Sequence, residues 1–154
     1  SLDADALEPR TRAFSTYLLQ EYFIPVAQFR DFAATMRKIL IDAQVNALNV
    51  SIRHSPADRT SLLSWAPNEV FSFVLYYKQR SHRWADEEAA RWTQRLVDAA
   101  LDNGGRYYLP YRLHATPEQF LRAYPEAEAF AALKARYDPN RRFRNKLLER
   151  YLPR

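Results

Sequence analysis

The hydrophobic period along this sequence runs alternating, helical, alternating, alternating, helical, alternating. That order predicts an α+β fold: a ferredoxin-like, split βαβ antiparallel sheet with helices on one face, plus C-terminal helices. The 154 residues suit one domain, and 47% hydrophobic and 14% aromatic residues can supply its core. With no cysteine there is no disulfide framework, which favours a reducing, cytoplasmic compartment.

Each element has its own signal. Residues 1–13 open with SLDADALEPRTR, which lacks a period and is read as a linker. Phe14 to Ile24 is rich in aromatic and branched residues and stops at Pro25, the mark of a strand. Val26, Phe29, Ala33, Met36, Leu40 and Ala43 then follow helical spacing, with Phe32 and Ile39 widening the stripe. Val45 to His54 alternates, Leu48, Val50 and Ile52 against Asn49, Ser51 and Arg53. The stretch SPADRTSLLSWAP reads as a loop with an apolar plug of Leu62, Leu63 and Trp65, and Glu69 to Gln79 is the most strongly β segment. A helix is expected to open at Glu87-Glu88, carry Trp92, Leu96 and Ala99, and stop at Asn103-Gly104-Gly105. Arg106 to Pro110 reads as a short strand. Thr116-Pro117-Glu118-Gln119 has the form of an N-cap with a capping box, opening a helix to Ala123. A second helix is expected from Pro125 to about Arg136 and a last one after Asp138-Pro139. The sandwich is thus assigned to residues 14–116 and a helical extension to 117–154.

Composition removes several functions. Two glycines, adjacent at a helix end, leave no dinucleotide fingerprint and no P-loop, so most of any nucleotide site would lie outside this chain. The chain starts with Ser1 and its single methionine is Met36, so the expectation is a processed start or a piece of a longer protein. No apolar run reaches the length of a membrane span. No metal is indicated, because His54, His82 and His114 lie far apart without ligand-like spacing. From Lys134 onward eight basic residues face two acids, so the net charge of +5 belongs to the tail and not to the body.

A split βαβ sheet leaves one face open, and two occupants suggest themselves. Single-stranded RNA stacks on such a face in RNA-recognition modules, and Phe71, Phe73, Val74 and Tyr76 partly mimic their pattern. Glu69-Val70 stands where that motif needs a basic residue and a glycine, and YLLQEYFIP lacks the companion motif, so no nucleic-acid partner is expected. The other occupant is a small hydroxylated molecule. Glu21 sits in an apolar strand, where a carboxylate is costly unless paired, so it is either a ligand and proton acceptor for a substrate hydroxyl or the partner of an arginine. His54 is a base by intrinsic pKa or the holder of a local hydrogen bond. Asn49 and Ser51 share the strand face of Arg53, and Tyr76 is a pocket residue or core.

Four stretches carry a family resemblance: Glu21-Tyr22-Phe23-Ile24-Pro25; Leu48-Asn49-Val50 with Ile52-Arg53; Gly105-Arg106-Tyr107-Tyr108 followed by Phe120 and Tyr124-Pro125; and Asp138-Pro139 with Phe143 and Asn145. In order and spacing they resemble the C-terminal, substrate-binding part of FAD-linked oxidoreductases of the vanillyl-alcohol oxidase superfamily. The nearest branch holds the sugar-lactone, alditol and decaprenylphosphoryl-ribose oxidases. The resemblance implies an FAD cofactor bound mainly by an absent N-terminal domain of the same full-length chain. It also implies a sugar-like or polyol substrate and an open sheet face laid over the flavin ring; exposed alone, that face would self-associate. Arg53 matches an arginine near the substrate of alditol oxidases, where it would stabilise alkoxide or reduced-flavin charge. Relatives often carry a lysine where this chain has Tyr111; Tyr111 replaces it, or Arg112 or His114 supplies the charge. Tyr108 and Tyr111 would wall the pocket, and Asn145 would hydrogen-bond the cofactor.

Overall fold

The computed structural model describes residues 14–152. Four strands form one antiparallel sheet: β1 (Ser15–Pro25), β2 (Ala47–Ser55), β3 (Val70–Arg80) and β4 (Arg106–Tyr107), in the spatial order β2-β3-β1-β4. Helix α1 (Phe29–Asp42), entered through a 3-10 turn at Val26–Gln28, links β1 to β2, and α2 (Arg83–Asp102) links β3 to β4. This is the α+β, ferredoxin-like arrangement that the periods predict. The linker expected over residues 1–13 lies outside the described residues.

Register decides which side chains the helices cover. Tyr22 pairs with Phe73 and Tyr107, and Ile52 pairs with Phe73, so these residues share the helix-facing side. Tyr22, Ile24, Phe73, Leu75 and Tyr77 there meet Phe32, Met36 and Ile39 of α1 and Trp92, Leu96 and Val97 of α2. One polar network crosses this layer. Gln20 donates to Thr93 Oγ1 at 2.7 Å and to the Tyr77 hydroxyl at 3.2 Å, while the Tyr22 hydroxyl donates back to Gln20. Burial raises the Tyr22 and Tyr77 phenol pKa values, so both stay protonated donors.

Three short helices follow: α3 (Pro117–Ala123), α4 (Ala127–Tyr137) and α5 (Lys146–Tyr151). The Thr116 capping box forms in both directions, Gln119 N to Thr116 Oγ1 at 3.1 Å and Thr116 N to Gln119 Oε1 at 3.0 Å. Phe120, Tyr124 and Tyr151 continue the main core, with Phe120 and Tyr151 stacked at 4.6 Å. The extension therefore shares its core with the sandwich.

Boundaries differ from expectation in three places. Helix α2 begins at Arg83, before Glu87, because His82 adopts an extended cap conformation and the acid of the first turn is Asp86. Strand β4 has two residues, not five; Tyr108 N still reaches Glu21 O at 2.9 Å, after which Leu109-Pro110 turns away from the sheet. The last helix starts at Lys146, since Asp138-Pro139 opens a turn and not a helix. The buried Asp138 carboxylate accepts from Arg142 N at 2.8 Å and Phe143 N at 3.0 Å and pairs with Lys134. The Lys134 hydrogen bond and these two N–H groups hold its pKa below the usual carboxylate range. Part of the cationic tail is thus organised around one buried anion.

Candidate functional site

Opposite the helices, the sheet presents a face that no described element covers over most of its area. Alternation puts Tyr17, Leu19, Glu21 and Phe23 of β1 there. Register adds Lys78, Tyr76, Val74 and Ser72 of β3, and Asn49, Ser51 and Arg53 of β2. At the β4 end the face is closed. Trp65, from the loop between β2 and β3, lies on Phe23 at 4.4 Å between ring centroids, and Tyr108 meets Phe23 edge-on at 6.0 Å. Arg106 pins this end, donating to Ser64 O at 2.6 Å and to both carboxylate oxygens of Glu126 at 3.0 and 3.1 Å. Of the apolar plug in that loop, Trp65 is therefore a partial lid on the sheet face, while Leu63 packs against the main core.

Glu21 and Tyr111 come together beside this lid. The Ser72 hydroxyl donates to Glu21 Oε1 from the neighbouring strand, which fixes the carboxylate without neutralising it. No arginine among the described residues forms an ion pair with Glu21. Tyr108 and Tyr111 stand edge to face at 5.1 Å, and both line a small depression with Glu21. Burial raises the Tyr111 pKa, the Glu21 charge and Tyr108 add to it, and Arg53 opposes it. The phenol thus stays protonated at neutral pH and serves as a hydrogen-bond donor beside an acceptor carboxylate. Arg53 faces the same space from β2, across Ser72. Asn49 and Ser51 continue the row, joined by a 3.2 Å hydrogen bond, and Tyr76 is 38% exposed on it.

Of the four other candidates, Arg112 lines the same depression as Glu21, Tyr108 and Tyr111, while His54, His114 and Asn145 sit elsewhere. His54 follows Arg53 by one residue, so its side chain is on the opposite face, beside Phe71 at 5.5 Å and 2.7 Å from Glu69. Arg112 pairs with Asp86 of α2 at 3.1 Å. His114 is buried behind it, its Nε2 3.9 Å from Asp86. Asn145 caps α5, accepting from Leu148 N at 2.8 Å. Sequence reasoning did not single out Ser72; a lone serine in the strongest β segment was the available signal, and its place across from Arg53 comes only from the register.

His114 gives the fold a pH dependence. Burial lowers its pKa; Asp86 pulls the other way, and Arg112 and Arg150 add to the lowering. An unfolded histidine takes a proton below about pH 6.5, where the folded one still resists it. Stability is therefore complete above that pH and declines as pH falls through the lowered folded value. Thermal midpoints of the complete protein should drop from pH 7 to pH 5, and His114→Leu should flatten that slope.

The face presents Leu19, Val74 and Tyr76 side by side, with Arg53 flanking them. It offers no cradle for phosphates through glycine: Gly105 is pressed against the backbone of β1, where a Cβ would lie 2.5 Å from Phe23 O. No helix among the described residues is long and apolar enough to cross a membrane. Residues 10–151 match the family model described as D-arabinono-1,4-lactone oxidase. No match is found among curated proteins.

Proposed function

We infer, from a chain that belongs to the D-arabinono-1,4-lactone oxidase family, that it is the substrate-side domain of an FAD-dependent oxidase acting on a hydroxylated, sugar-like or polyol molecule. The observation that carries this reading is the convergence of Glu21 and Arg53 on the open sheet face with Tyr108 and Tyr111 from the segment after β4, a carboxylate acceptor, a cation and two phenols. Oxidases of this family use FAD in general, and FAD, when bound, accepts the hydride from the carbinol carbon. Its phosphates would be held by an N-terminal domain of the same full-length chain, and this face would lie against the ring.

The residues of this chain handle binding and the proton. Glu21 accepts the hydrogen bond of the substrate hydroxyl and takes its proton as the carbon is oxidised. Arg53 offsets negative charge that develops on the oxygen and beside it. Tyr111 donates to a second oxygen and fills the place where a lysine is often found, and Tyr108 keeps water from that corner. Asn49 and Ser51 meet further hydroxyls.

Expression of the complete coding sequence tests the reading. The expected product binds flavin, shows its visible band, and is bleached anaerobically by a polyol or an aldonolactone. A complete chain that binds no flavin overturns it.

A further inference from the structure

Resting on that reading, we propose that the open face carries a second subsite, built from Tyr17, Tyr76 and Lys78, which binds a phosphate group at the far end of an extended polyol or sugar substrate. Tyr17 and Tyr76 stack across β1 and β3 at 5.6 Å and 23°. Lys78 Nζ lies 5.5 Å from the Tyr17 ring centroid, and it forms no ion pair with a described carboxylate. Aromatic faces suit the C–H surface of a carbohydrate, and a lysine ammonium suits phosphate as a point charge.

Charge and distance both point to an anionic occupant. Arg53, Lys78 and, at the strand end, Arg80 lie on this face by register, against Glu21, the one carboxylate that the described strands place there. Glu21 lies four positions along β1 from Tyr17, which is the partner of Lys78; at a strand rise of roughly 3.3 Å that is about 13 Å. A single sugar ring held at Glu21 and Arg53 stops short of Lys78. An extended six-carbon polyol phosphate, helped by the reach of the lysine stem, bridges the span. Leu19, 38% exposed between the two ends, gives it an apolar floor.

The test uses the complete flavin-loaded protein, with D-glucitol and D-glucitol 6-phosphate as probes in titration calorimetry. The phosphate ester is expected to bind about tenfold more tightly, the worth of one charge-assisted hydrogen bond. Lys78→Met keeps the apolar stem over Tyr17, and it should abolish that preference while leaving glucitol affinity unchanged. Lys78→Arg should retain the preference, which separates lost charge from damaged packing. Where the probes are oxidised, the same split appears in KM at constant kcat. Oxidation of both probes with equal KM in wild type and Lys78→Met overturns the subsite and leaves the oxidase reading standing. Binding that depends on Lys78 without any oxidation does the reverse. Equal affinity for the two probes in wild type also overturns the subsite.

Discussion

Replacing Glu21 with Gln in the complete flavoprotein should lower kcat by about 10²- to 10³-fold, the usual worth of a positioned general base, with flavin still bound. The substitution conserves volume, and a Gln oxygen still accepts from Ser72, so the strand pairing that surrounds position 21 is kept. What disappears is the ability to take a proton. The loss should therefore appear in the rate of anaerobic flavin bleaching at saturating substrate, with KM changed far less. An unchanged bleaching rate would reduce Glu21 to a structural partner of Ser72. Arg53→Met is the useful companion, because it removes charge stabilisation and leaves the base. Non-additive losses in the double variant would mark the two as one unit.

Gly105→Ala should be the most damaging small change in the fold, at about 3 kcal/mol, the upper end of ordinary overpacking costs. Gly104, at φ +68°, turns the chain out of α2. Gly105 then passes so close to β1 that an added Cβ would lie 2.5 Å from Phe23 O, 2.7 Å from Ile24 Cδ1 and 3.0 Å from Ala100 O. Two of these neighbours are backbone oxygens of a central strand and a long helix, and neither can yield cheaply. The change would lower the thermal midpoint and loosen β4 together with the Tyr108–Tyr111 segment that follows it. A midpoint within one degree or so of wild type would show that the helix end can shift after all.

The sheet was legible because a strand's period of two needs no tertiary information. Asn49, Ser51 and Arg53 share a face as their alternation predicts, and the same rule sends His54 to the other side. The helical stripe of α1 was legible for the same reason. Past Tyr107 the period ends, and with it the means of saying where a side chain points. Arg112 and His114 turn back to Asp86 of α2, a residue 26 positions away from Arg112 that no local pattern connects to them. The start of α2 was obscured because His82 makes no side-chain cap hydrogen bond. Asn145 resembled a cofactor ligand in its motif, yet its oxygen is occupied by the first turn of α5. A short polar motif records a need for that residue without recording which need.

The central strand of the sheet also bears on how such a protein can change. Along β1, Gln20, Tyr22 and Ile24 hold the body together, while in alternation with them Leu19 and Glu21 meet whatever lies on the open face and Phe23 seats Trp65. The two sets behave as interleaved tracks on one tape. Randomising only the exposed Leu19 and its cross-strand partner Tyr76 would give a library that explores new specificities on an unaltered scaffold. A single inserted residue upstream of Gln20 would instead slip the tracks past each other, aiming Glu21 into the interior and Tyr22 at solvent. Novelty is reached here by substitution, and length is the thing selection must guard.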